Sequence, residues 1–222
     1  MGLNLYSEIE EIFLDKKAAN KLWDKFSDIL DSLDIKKVLD LGCGSGEFCL
    51  KVKDRFNIKG IDLSIEQVKR AKNRGCECSV SDVCEINERF DAVVSIFDVV
   101  NYLDDEELER FFRCVKKITD YFVFDINSEY AMSELAVGTL KAEDEKRFGV
   151  LESDFYDNKL ITKMDLFTKE GDCYKRKSGE IVQYYHSIDK ILKITDMKLV
   201  SIDEITLYDS DEVEKFIITL RN

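Results

Sequence analysis

The run Val38-Leu39-Asp40-Leu41-Gly42-Cys43-Gly44-Ser45-Gly46-Glu47-Phe48 constrains this chain more than any other stretch. A short apolar segment ending in three alternate glycines reads as a buried strand that passes through a tight turn into a helix. Glycine lets such a turn take positive φ and lets the backbone come within contact distance of a ligand, while the helix start presents free N–H groups. A tight turn that holds nothing is the alternative. Spacing sorts the possible ligands. The loop is G-x-G-x-G with Glu47 directly after it, not the G-x-G-x-x-G of a dinucleotide fingerprint, and it lacks the Gly-Lys-Ser or Gly-Lys-Thr of a phosphate loop. An acid at the helix start repels phosphate but tolerates a ligand that carries positive charge.

The segments around this loop alternate in type. Residues 8 to 32 recur at helical spacing, with a break around Asp15 to Lys17. Short apolar strands follow at 38–41, 57–63, 76–79, 91–97 and 121–126, separated by helical stretches, one capped by Ser64 and stopped at Gly75, another opened by Asp104. Fully apolar strands alternating with helices are the pattern of a parallel sheet covered on both faces. After about residue 147 the period changes. Residues 148–156, 160–168 and 173–185 read as three antiparallel strands joined by Asp157-Asn158 and Glu170-Gly171-Asp172. Helix returns at 187–194, and 198–207 with 214–220 form a closing hairpin at the sheet edge. The expected division is therefore a core of residues 1–147 and 187–222 with an inserted antiparallel lid, or acceptor subdomain, at 148–186.

The glycine stretch resembles motif I of the class I S-adenosylmethionine-dependent methyltransferases: a hydrophobic pair, an acid, then x-G-x-G-x-G. The resemblance implies a doubly wound, mostly parallel, seven-stranded Rossmann-like sheet, here with a small antiparallel β insertion, and S-adenosyl-L-methionine as cofactor. It implies that Asp40 and the backbone of Gly42, Gly44 and Gly46 face the methionine part. Gly60-Ile61-Asp62-Leu63-Ser64 is similar to the next motif, in which the acid at the end of the second strand takes both ribose hydroxyls. The residues agree, because Asp62 lies about 20 positions beyond Gly42 and a carboxylate accepts two O–H bonds from a cis-diol. A plain turn or helix cap is the other role open to it. In Ser81-Asp82-Val83 the family holds adenine, with the Asp82 side chain near the exocyclic amine and the Val83 N–H near a ring nitrogen. An Asp after a strand also caps.

The fourth strand runs into Ser95-Ile96-Phe97-Asp98-Val99-Val100-Asn101-Tyr102, and ligands of open α/β sheets gather beyond the carboxyl ends of the strands, which sets Phe97 and Asp98 beside the cofactor. An aspartate followed by an Asn-Tyr pair, together with the antiparallel insertion, is similar to small-molecule methyltransferases such as the sugar N-methyltransferases and to uncharacterised bacterial enzymes. Methyl transfer from sulfonium to N or O is an in-line displacement whose rate comes largely from alignment. Asp98 is a candidate to hold a substrate ammonium or hydroxyl, and His186 a candidate to take a proton. A turn cap and a packed lid residue are their respective alternatives. Related enzymes close an N-terminal aromatic over the cofactor, which points to Tyr6; they also carry a Tyr-Asp pair where this chain has Trp23-Asp24.

Composition narrows the partners. With 46 Asp plus Glu against 33 Lys plus Arg the formal net charge is -13, so bulk nucleic acid is an unfavourable partner and a small-molecule substrate the expected one. The best basic strip, Lys169 to Lys177, is diluted by Glu170 and Asp172. An RNA-modifying methyltransferase and a non-catalytic S-adenosylmethionine-binding protein are the competing readings. Seven cysteines, an odd number, are expected as reduced thiols, and with His186 the only histidine no metal set is expected. No stretch approaches about 18 apolar residues. The sequence thus predicts a cytoplasmic enzyme with no membrane contact, as monomer or homodimer.

Overall fold

The computed structural model describes residues 2–208 and 210–222. Helices α1 (Gly2–Phe13) and α2 (Lys16–Ser32) come first, separated where Asp15 caps α2 by accepting from the N–H groups of Lys17 (2.8 Å) and Ala18 (3.2 Å). The helical stretch expected from residue 8 therefore starts at Gly2, with its break at the expected place. There follow β1 (Lys37–Leu41), α3 (Glu47–Val52), β2 (Asn57–Asp62), α4 (Ile65–Asn73), β3 (Cys78–Val80), β4 (Phe90–Ser95), α5 (Asp105–Ile118) and β5 (Thr119–Asn127). Strands β6 (Gly138–Glu143), β7 (Arg147–Tyr156), β8 (Lys159–Glu170) and β9 (Cys173–Tyr184) precede α6 (Ile188–Ile194), β10 (Lys198–Ile205) and β11 (Lys215–Arg221).

The main sheet has seven strands in the order β10-β11-β5-β4-β1-β2-β3, parallel from β3 to β5, with β11 antiparallel between β5 and β10. The pleat explains why its inner strands are apolar throughout. Val38, Val94 and Val123 pack against α2, α3 and α4 on one face, while Leu39, Val93, Phe122 and Phe124 pack against α5 and α6 on the other. The crossover direction reverses at β1, so the crevice beyond the carboxyl ends of β1, β2 and β4 is where the fold can hold a ligand.

A second sheet, β6-β7-β8-β9, is antiparallel throughout. It starts at Gly138, one strand earlier than the sequence boundary at 148. Strand β6 has no fully buried residue and so no period-2 alternation to reveal it. Helix α1 packs on this sheet through Leu5 and Ile9 against Met164, Leu166 and Ile181. Contact is close enough that a side chain at Gly149 would meet Phe13 and Ile12, and one at Gly179 would meet Leu5. The N-terminal helix thus travels with the inserted sheet rather than with the strands that follow it in sequence.

One expectation about the cysteines is corrected. Cys84, in the short turn after β3, and Cys114, on α5, form a disulfide with their Cα atoms 5.0 Å apart. They lie 30 positions apart on neighbouring sheet crossovers, a separation that carries no recognisable spacing signature. The other five cysteines are free. Among the described residues no helix is long and apolar enough to cross a membrane.

Candidate active site

Strand β1 delivers the glycine loop to the crevice, and β2 holds it there. The N–H groups of Gly42 and Cys43 both donate to the carbonyl of Ile61, at 2.8 and 3.0 Å. Gly42, Gly44 and Gly46 all have positive φ. Packing demands two of them as well: a Cβ at Gly42 would come 2.8 Å from Val99 Cγ2, and one at Gly46 would overlap Cys76 Sγ. Gly44 is different, since nothing lies within 4 Å of where its Cβ would be. Its open side is the one a ligand can approach.

Asp62 is fixed at the end of β2. One carboxylate oxygen accepts from the Gly44 N–H at 2.9 Å and the other from the Ser64 N–H at 2.8 Å. The cap role and a diol-binding role are compatible, because each oxygen retains a lone pair. Leu63 beside it is 67% exposed, an apolar surface at the rim. Asp40 is only 2% exposed and takes a bond from the Cys49 thiol at 3.3 Å. Burial pushes its carboxyl up to about 7, so it sits under the loop as a largely protonated acid below neutrality. Glu47 accepts from Ser45 Oγ at 2.7 Å and pairs with Arg74. Partial burial raises its carboxyl, yet these two partners hold it below the ordinary range, so the repulsion expected of Glu47 toward a phosphate is weakened by Arg74.

Asp82 caps the turn Val83–Glu85: its Oδ1 accepts from the Cys84 N–H at 2.7 Å and its Oδ2 from Arg110 at 3.0 Å. Val83 is buried at the start of that turn. Phe97 and Asp98, directly after β4, both lie in the left-handed region, with φ of 66° and 52°. Two consecutive non-glycine residues there are strained, and such strain persists where surrounding bonds impose it. Here the Asp98 N–H donates to Asp125 Oδ2 at 3.0 Å, and the Phe97 ring meets Trp23 edge-on at 5.7 Å. Tyr6 reaches the same place from α1, its ring 6.4 Å from that of Tyr102. Burial raises the hydroxyl pKa of both tyrosines, which remain neutral.

The crevice beyond β4 holds an ion triad that sequence reasoning missed. Lys215 Nζ lies 2.6 Å from Asp98 Oδ1 and 2.8 Å from Asp125 Oδ2, and Gln183 on β9 donates to the other oxygen of Asp98. Asp125 is fully buried and its second oxygen has no partner among the described residues. Burial alone would strip the proton from Lys215, but the two carboxylates hold it charged. The available signal was a lysine and an aspartate within otherwise apolar strands, since charges are buried only when paired. Asn101, of the Asn-Tyr pair, is buried, donates to the Tyr184 carbonyl at 2.8 Å and accepts from the Asn127 N–H at 3.0 Å, tying the second sheet to the core.

His186 lies away from this cluster of carboxylates. The ring is 1% exposed, its Nε2 is 2.9 Å from the Leu103 carbonyl and its Nδ1 has no partner among the described residues. Nε2 therefore carries the hydrogen, and burial lowers the pKa so that the ring is neutral. The strip from 169 to 177 is not a cationic surface either. Lys177 pairs with Glu8, Arg176 with Asp165, and Lys175 approaches Glu170 at 4.0 Å.

These residues fit S-adenosylmethionine. An open glycine backbone, a pinned carboxylate for a diol, an apolar rim and a surplus of negative side chains suit a ligand with a ribose, an adenine and two positive groups. Residues 38–120 match the methyltransferase domain family. A probable tRNA methyltransferase 9B of Homo sapiens is 30% identical over 124 residues, which is 54% of this chain, and the chain covers 26% of that protein's length. Among solved structures, an S-adenosylmethionine-dependent methyltransferase from Clostridium acetobutylicum ATCC 824 superposes with a TM-score of 0.78 at 22% identity, over 99% of this chain and 96% of the other. The sugar N-methyltransferase KedS8 from Streptoalloteichus sp. ATCC 53650 gives 0.72 at 16% identity, over 100% and 94%. The chain has the class I S-adenosylmethionine-dependent methyltransferase fold, with an inserted antiparallel sheet, and the match to the methyltransferase domain family lies within its parallel half.

Proposed function

We propose that this chain is an S-adenosylmethionine-dependent methyltransferase acting on nitrogen or oxygen of a small polar metabolite. The observation that carries the reading is Asp62, held at the end of β2 by the N–H groups of Gly44 and Ser64 beside the open face of Gly44. In this reading Asp62 takes the ribose diol, Leu63 flanks the adenine, Val83 and Asp82 read its edge, and Gly42, Gly44, Gly46 and Asp40 border the methionine part. The cofactor supplies an electrophilic methyl group on a cationic sulfur. The chain's own residues do the rest: Tyr6, Tyr102 and Phe97 exclude water, and Asp98 accepts the N–H or O–H of the acceptor and orients its lone pair.

Asp98 is the better candidate for contact with the acceptor, because Lys215 fixes one of its oxygens and leaves the other for an exchangeable partner, the place now taken by the Gln183 amide. His186 is assigned to holding the end of β9 against the Leu103 segment. A small acceptor is favoured over RNA by the net charge of -13 and by the carboxylates that neutralise the basic strip. Incubation with S-adenosylmethionine and a panel of small amines, amino sugars and hydroxy acids should yield S-adenosylhomocysteine with at least one acceptor. Asp98→Asn should lower that rate about 100-fold while cofactor affinity stays within a few fold. Cofactor binding with no turnover on the panel, and turnover on transfer RNA instead, would sink the small-metabolite reading.

A further inference from the structure

The turn Val83–Glu85 hangs from the least secured edge of the main sheet. Strand β3, which leads into it, is three residues long, pairs with β2 alone and leaves Ser79 and Val80 exposed. The chain that leaves the turn, Asn87 to Arg89, is exposed as well. A single short turn between an edge strand and an open segment has little to hold it, because its own hydrogen bonds do not offset the chain entropy lost in fixing it. Its local supports are the capping box of Asp82 with Glu85 and one apolar anchor, the buried Val83.

Helix α5 supplies the rest. It is packed onto the sheet by Leu108, Phe111, Phe112, Val115 and Ile118, and it reaches the turn twice. Arg110 donates to Asp82 Oδ2 at 3.0 Å, and one helical turn further along the same face Cys114 is bonded to Cys84. The ion pair is exposed and contributes little by itself, so the disulfide is the tie that fixes the turn to α5. Cys84 follows Val83 directly, and its N–H donates to Asp82 Oδ1 at 2.7 Å, so both residues assigned to adenine are held through it. Both bonded cysteines are half-buried, within reach of a small reductant, and the other five cysteines are free.

We propose that the Cys84–Cys114 disulfide is a redox clamp on the cofactor site. Formed, it holds Asp82 and Val83 in place for adenine; reduced, it releases them, and S-adenosylmethionine binds more weakly. This regulation rests on the adenine assignment of the function proposed above. The step is thiol–disulfide exchange with a small dithiol: the S–S bond breaks, two electrons and two protons pass to Cys84 and Cys114 as thiols, and the dithiol leaves as its own disulfide. The capping box and the burial of Val83 survive reduction, so what is lost is order rather than fold, and the loss is felt as the entropy of fixing the turn again when the ligand binds. Reciprocity follows, since a cofactor that prefers the clamped form must make the disulfide harder to reduce by the same factor.

The test is calorimetric titration of S-adenosylmethionine into the wild-type chain, oxidised and after reduction with dithiothreitol, with Cys114→Ser alongside. Reduction should weaken binding about tenfold while circular dichroism stays unchanged, and Cys114→Ser should bind at the reduced level whether or not dithiothreitol is present. A second measurement needs no variant: the wild-type chain is equilibrated with mixtures of reduced and oxidised dithiothreitol, and its thiols are trapped by alkylation and counted by mass. Saturating S-adenosylmethionine should raise the ratio of reduced to oxidised dithiothreitol at the midpoint about tenfold. Equal affinity in the two redox states, a midpoint that ignores the cofactor, or unfolding on reduction would overturn the clamp while leaving the cofactor site standing. A folded chain that binds S-adenosylmethionine in neither state would overturn the proposed function and this inference together.

Discussion

On the cofactor rim, the glycine loop and its carboxylate come from one short stretch of chain: the loop after β1 bonds to β2, and the acid that ends β2 bonds back to the loop. On the acceptor rim, Asp98 is fixed from three directions, by Asp125 on β5, Lys215 on β11 and Gln183 on β9. The first rim is local backbone with small residues, and the second is buried charge gathered from positions up to 117 residues apart. A backbone cradle is a feature of the fold, whereas a charge network assembled at long range is where one chain can differ from the next.

The sharpest break between the two rims is Lys215→Met. Removing the cation leaves Asp98 and a fully buried Asp125 without a counter-charge, so stability should fall by about 3–5 kcal/mol. An unpaired buried carboxyl has a raised pKa, and the stability it offers is present at low pH and lost as pH rises. Denaturant melts should therefore show a larger deficit at pH 8 than at pH 5, and a deficit equal at both would contradict the triad.

Asp40 tests the cofactor rim by pH. Its folded-state pKa of about 7 lies above the ordinary 3.8, so its contribution is complete below the lower value and disappears as pH rises through 7. Between pH 5 and 8 the wild-type chain without ligand should lose on the order of 3 kcal/mol from this residue, and Asp40→Asn should remove that part of the slope. Unfolding free energies measured at pH 5 and 8 decide it.

The glycines sharpen the same comparison. Gly46→Ala adds a Cβ into Cys76 at a positive φ and should cost about 2–3 kcal/mol, while Gly44→Ala meets open space and should cost about 1 kcal/mol of stability but weaken cofactor binding. Equal thermal shifts for the two would mean that the loop is not gripped from behind. Smallest is Glu11→Ala, which removes an exposed link between Arg70 of the core and Arg147 of the second sheet; a change of about 0–1 kcal/mol is expected in melting.

Much of this was legible in the chain because parallel strands and glycine turns are written in consecutive residues. Val38 to Gly46 announced strand, loop and helix together, and Asp62 followed at the spacing a second strand dictates. The triad was not legible, since Lys215 and Asp98 become neighbours only once β11 has inserted between β5 and β10. His186 shows the opposite limit. A lone histidine beside a tyrosine pair leaves a proton-transfer role and a packed lid residue both open in sequence, and the structure shows a buried ring bonded to the Leu103 carbonyl. Strand β6 and the Cys84–Cys114 disulfide left no periodicity or spacing to read.

The central claim is that the crevice at the ends of β1 and β2 binds S-adenosylmethionine through Asp62. Calorimetric titration of S-adenosylmethionine and of NAD into the wild-type chain, with Asp62→Ala alongside, tests it most directly. The account predicts heat of binding for S-adenosylmethionine alone and its loss in the variant, whose unaltered circular dichroism would show that it is folded. A folded wild-type chain that ignores S-adenosylmethionine, or that takes up NAD in its place, would contradict it.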